Sequence, residues 1–153
     1  MPAPDLPFAH TSTPLLVLDT NVVLDWLLFR DPGCETLAGA LSQGKARWVA
    51  TAAMRQELEN VLARGSLRAW APDIDLIGLA WDRWACMVPT LMMSRPGAPR
   101  CTDPDDQKFI DLALSAGASA LLSRDRAVLK CARHAQALGL AVLTPCAWGR
   151  AAE

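Results

Sequence analysis

The chain has 153 residues, the size of one domain. Hydrophobic residues make up 52% of it and charged residues 20%, which excludes global disorder and provides for a packed core. With 15 Lys and Arg against 16 Asp and Glu the formal net charge is -1, so no overall basic field points to nucleic acid and any polyanion site must be local.

Five cysteines form no C-x-x-C pair, which argues against a disulfide framework or a zinc ribbon and for reduced thiols in a cytoplasmic protein. Residues 1–14 carry four prolines and neither a basic nor an apolar stretch, so they read as a loose tail and not a signal peptide. No apolar run approaches the roughly 18 residues that a membrane span requires.

From residue 15 onward short apolar runs alternate with helical patterns, the mark of an α/β chain with a parallel sheet. Residues 15–19 (LLVLD) read as the first strand and 20–28 as the helix leaving it. A second helix covers 34–43 and stops at Gly44. Residues 47–50 form a strand, and 51–63 a helix that Thr51 can cap. A helical pattern follows from 73 to about 87, and residues 88–101, with three prolines and a glycine, read as a short edge strand and a loop. Helix 103–115, strand 119–123, helix 125–138 and strand 140–144 complete the order.

Several familiar motifs are absent. GALSQGKA (39–46) approaches a phosphate-binding loop, but Ala46 lacks the hydroxyl that would hold magnesium, and the glycines lie within and at the end of a helical pattern. There is no G-x-G-x-x-G, G-x-S-x-G or H-E-x-x-H, and His10 and His134 have no ligand-like spacing.

The informative residues are acids. Asp19 ends the first apolar run, and open α/β sheets bind ligands outside the carboxyl ends of their strands. Two readings stay open for it, a site carboxylate or the N-cap of the next helix. In TAAMRQELENVLA the apolar stripe is Met54, Leu58, Val61 and Leu62. Glu57 lies about 60° from Met54 on the edge of that stripe, and Glu59 about 140° away. An inward Glu57 requires a partner or a cation; the alternative is a side chain reaching water along its own methylenes.

In CTDPDDQKFIDLAL, Asp103 before Pro104 reads as an N-cap. Asp106, Ile110 and Ala113 stand at i, i+4 and i+7, which puts Asp106 on the stripe facing the sheet unless it is the N3 carboxylate of a capping box. Asp125 follows the run SALLS at another strand end, where capping is again the alternative. Four acids from four elements, if they converge, require a cation, and oxygen-only ligands suit Mg2+ or Mn2+. Setting them aside leaves 12 acids against 15 basic residues, a balance of +3 that suits a metal bridging to a phosphodiester. Arg126, Lys130 and Arg133 recur at i, i+4 and i+7 beside Asp125, either as a track for a nucleic-acid backbone or as a solvated face.

Together, LLVLDTNVVL with Asp19 and Asn21, QELENVL with Glu57, DPDDQKFIDLAL with Asp106, LLSRD with Asp125 and the closing LAVLTPCAW resemble the PIN domain family, in particular its bacterial branch of toxin components of toxin–antitoxin pairs. The resemblance covers residues 15–148, leaving 149–153 as a C-terminal tail. It implies a three-layer, Rossmann-like α/β fold with a mainly parallel sheet, and a Mg2+- or Mn2+-dependent endoribonuclease leaving 5′-phosphate and 3′-hydroxyl ends. It also implies an acidic site of Asp19, Glu57, Asp106 and Asp125, with Asn21, Asp103 and Ser123 as supporting polar groups. Asp19, Asp106 and Asp125 would hold the metal, and Glu57 would orient water or bind a second ion. A homodimer and an antitoxin partner are further implications. One departure is Ala127, where many relatives carry a second acid two residues beyond the position of Asp125.

Two other readings compete. LLVLDTNVVL also resembles the haloacid dehalogenase phosphatases, whose motif D-x-D-x-[TV] uses a nucleophilic Asp and a second, acidic Asp; Asn21 occupies that second place and cannot serve as the acid. A catalytically silent partner-binding module would use apolar residues such as Trp70, Trp81 and Trp84, although the i, i+3 spacing of the last two favours the core.

Overall fold

The computed structural model describes residues 13–90 and 94–152. The expected tail over 1–14, with His10, falls almost wholly outside these residues, as does Glu153.

The first strand, β1 (Leu15–Leu18), has every residue buried, as a four-residue apolar run in the middle of a parallel sheet should. Helix α1 (Thr20–Leu27) leaves its carboxyl end. A 3-10 turn (Pro32–Cys34) leads into α2 (Glu35–Ser42), and Gly44 follows with φ of +69°, a backbone conformation that favours glycine. Strand β2 (Arg47–Ala50) and helix α3 (Ala52–Ala63) lie where the sequence puts them, and Thr51 Oγ1 caps α3 by accepting the Met54 amide at 3.4 Å.

Helix α4 (Ile74–Trp84) is shorter than expected, because Ala85–Met87 form strand β3 on the edge of the sheet. The edge strand therefore precedes residues 88–101, and the described part of that segment contains no strand. Helical periodicity carries through Trp81 and Trp84, whereas β3 exists only through its pairing with β2, Val49 opposite Cys86. A 3-10 turn (Pro104–Asp106) opens α5 (Gln107–Ala116), which is followed by β4 (Ala120–Leu122). The single helix expected over 125–138 is two, α6 (Arg126–Leu129) and α7 (Ala132–Ala137), broken at Lys130 and Cys131. After β5 (Ala141–Leu143) comes α8 (Pro145–Ala152), so 149–152 are helical where a tail was expected.

The sheet order is β3-β2-β1-β4-β5 and all four pairings are parallel, which gives an α/β, Rossmann-like architecture with helices flanking the sheet. Around it Trp48 packs edge-on against Trp81, with ring centroids 4.5 Å apart, and against Trp26 at 5.9 Å. Phe109, Ile110 and Ala113 turn α5 inward. Order reverses between β1 and β4, so the crevice at their carboxyl ends is the place where such a sheet collects ligands. Asp19 directly follows the first of these strands and Ser123 the second. Among the described residues no helix is long and apolar enough to cross a membrane.

Candidate active site

The crevice is a cleft of about 330 Å³ lined by acids from four stretches of chain: Asp19, Glu57, Asp103 with Asp105 and Asp106, and Asp125, with Asn21 and Arg64 beside them. All four acids singled out in the sequence thus meet in one place. The capping alternatives resolve differently at each.

Asp19 stands at the N-cap of α1 but makes no side-chain capping bond; it is buried, and its Oδ2 accepts from Ser123 Oγ at 2.6 Å. Ser123 Oγ in turn accepts the Asp125 amide at 3.0 Å. Burial pushes the Asp19 carboxyl up to about 6; the Ser123 hydrogen bond opposes this, and the neighbouring Glu57 charge reinforces it.

Asp106 likewise makes no side-chain capping bond to α5. Its carboxyl is pushed up to about 7, first by burial and then by the charges of Asp19, Asp103 and Asp125. Asp103 and Asp125 are caps and yet stay within the cleft. Asp103 Oδ1 accepts the Asp105 amide at 3.0 Å and Asp125 Oδ1 the Ala127 amide at 2.8 Å. Among the described residues, Asp103, Asp106 and Asp125 form one group in which each offers an oxygen within 4.8 Å of the others. Asp103 therefore belongs with the ligand candidates, closer to them than its expected supporting role implied. The donor set fits a hard divalent cation: it is all oxygen and crowded, three carboxylates in one small group.

Glu57 faces inward with a partner that the sequence reading did not name. Its Oε1 accepts from Lys108 Nζ at 2.7 Å, and its Oε2 from the Thr20 hydroxyl. Lys108 lies on α5, 51 positions away in sequence, and nothing in the periodicity of either helix pairs the two. Glu59, on the opposite face, binds Arg55 at the surface.

Asn21 Oδ1 accepts the Arg124 amide at 3.3 Å, bracing the turn that carries Ser123 and Asp125. Arg126, Lys130 and Arg133 are exposed, but the break after α6 removes the single helical track expected for them.

An acid-lined cleft at the switch point of a parallel α/β sheet lies where open sheets of this class bind their ligands. The family model described as PIN domain matches residues 15–127, and the chain belongs to the PIN domain family. Proteins of this family are generally nucleases and usually work with divalent metals. No curated protein matches the chain.

Proposed function

We propose that the chain is a Mg2+- or Mn2+-dependent endoribonuclease hydrolysing RNA phosphodiester bonds, with Asp103, Asp106 and Asp125 as the metal-holding group and Asp19 beside it. The observation that carries this reading is the three-carboxylate group within 4.8 Å, on a switch-point cleft that also contains Asp19 and Glu57. A divalent ion would supply Lewis acidity to the phosphodiester and to the attacking water.

The chain's own residues do the rest. Ser123 fixes the rotamer of Asp19 and the position of Asp125. Asn21 steadies the same turn from α1. Glu57, held by Thr20 and Lys108, faces the cleft from α3 as a fixed wall of the site. Arg64 at the rim, with exposed Arg126, Lys130 and Arg133, supplies positive charge for the RNA backbone. Asn21 is engaged as an acceptor and brings no acid, so no observation favours the phosphatase alternative.

The finer assignment is a cytoplasmic toxin component with an antitoxin partner and a homodimeric state. It rests on the sequence resemblance, and the exposed apolar side chains Trp70, Ile74, Leu76 and Leu79 support a protein-binding surface. The test is cleavage of end-labelled single-stranded RNA with Mg2+ or Mn2+, against EDTA and Asp106→Asn controls. Metal-dependent cutting with 5′-phosphate products, lost in the variant, is expected. Full cutting by Asp106→Asn, or none by a folded, metal-binding wild type, would overturn the assignment.

A further inference from the structure

The cleft gathers six carboxylates, yet one of them is already neutralised by the protein itself. Lys108 and Glu57 form an ion pair at 2.7 Å, both side chains more than two-thirds buried (30% and 25% exposed). The pair is held from both ends. Lys108 Nζ also donates to the Asp105 carbonyl at 2.6 Å and lies 5.1 Å from the Phe109 ring, while Glu57 takes the Thr20 hydroxyl on its other oxygen. Each Glu57 oxygen therefore has a protein donor, and Glu57 is not a member of the three-acid group.

Two-metal phosphodiesterase sites place their ions about 3.5–4 Å apart and need carboxylates for both. Here the acid that would complete a second ion's ligand set binds an ammonium instead. We propose that Lys108 is the fixed second cation of this site: through its ion pair with Glu57 it keeps that carboxylate out of the metal's ligand set and limits the cleft to one divalent ion. Lys108 is thus a positioning residue that acts through Glu57. Because it springs from α5, just beyond Asp106, the same helix start sets both the metal-holding acid and the charge that restricts the metal count. This inference rests on the metal-centre reading above and specifies its stoichiometry.

The test is titration of the metal-free, full-length protein with Mn2+ by isothermal calorimetry, with free ion counted in parallel by electron paramagnetic resonance. Wild type is expected to bind one ion, Lys108→Gln two, and the double variant Lys108→Gln, Glu57→Gln one again. Lys108→Arg, which keeps the charge, is expected to bind one. A wild-type stoichiometry of two would overturn the inference by itself, whatever the variants do, and so would a single ion in folded Lys108→Gln; either result leaves the metal centre standing. No Mn2+ binding by wild type would overturn the metal-centre reading along with the inference.

Discussion

The Ser123 hydroxyl donates to Asp19 Oδ2 at 2.6 Å, so a buried hydrogen bond ties the carboxyl end of β1 to that of β4. The same oxygen receives the Asp125 amide, which makes Ser123 the joint between two of the site's acids. Replacing it by alanine leaves a buried carboxylate without its donor. Ser123→Ala is expected to lose about 1–3 kcal/mol of stability in urea denaturation. Cleavage should fall by about 10- to 100-fold, the usual consequence of removing a group that orients a metal ligand.

Protonation supplies a second prediction. Asp19 and Asp106 sit at about 6 and about 7, above the value of about 4 they have in an unfolded chain. The folded protein therefore binds more protons in that interval. The stability these groups contribute is complete below about pH 4 and is lost as pH rises through 6 to 7. Without metal, Asp106→Asn should gain on wild type in stability between about pH 5 and pH 8, as read by thermal unfolding at each pH. Mn2+ affinity of the wild type should fall as pH drops below about 7, since protons compete for the same oxygens.

Metal binding should reverse the cost of gathering these acids. At Mn2+ concentrations about 100 times the dissociation constant, linkage stabilises the wild type by about 2.7 kcal/mol. The expected outcome is a rise in Tm that EDTA abolishes and that Asp106→Asn does not show. An equal rise in the variant would contradict the assignment of Asp106.

Arg124 offers a contrast, because its guanidinium binds Asp25 at 2.8 Å and Asp31 at 2.9 Å and so acts outside the acid cleft. The side chain is half exposed, which caps the value of the pairs. Arg124→Ala is expected to cost about 1 kcal/mol, less at high salt, and to leave Mn2+ affinity unchanged, because the backbone bond to Asn21 survives. Double-mutant cycles with Asp25→Asn would measure the coupling.

Local pattern made some features legible in the sequence and long-range packing hid others. Strands β1 and β2 are apolar runs bounded by helical periodicity, and Asp106 is marked by its register with Ile110 and Ala113, both fully buried. Strand β3 is three residues that continue the pattern of α4 and become a strand only beside β2. Helix α8 was hidden because Pro145, at its first position, reads equally as a stop after β5. The division of α6 from α7 was masked by the regular spacing of Arg126, Lys130 and Arg133. Glu57 announced that it needed a partner; that the partner is Lys108 depends on how α3 and α5 are set against each other.

The central claim is that the acids at the carboxyl ends of β1 and β4 are a divalent-metal centre, and anomalous diffraction from crystals soaked in Mn2+ tests it most directly. The account predicts a manganese peak at about 2.1 Å from carboxylate oxygens of Asp103, Asp106 and Asp125, the distance of small hard cations from such ligands. No peak there at saturating Mn2+, or one at Asp25 and Asp31 instead, would contradict it.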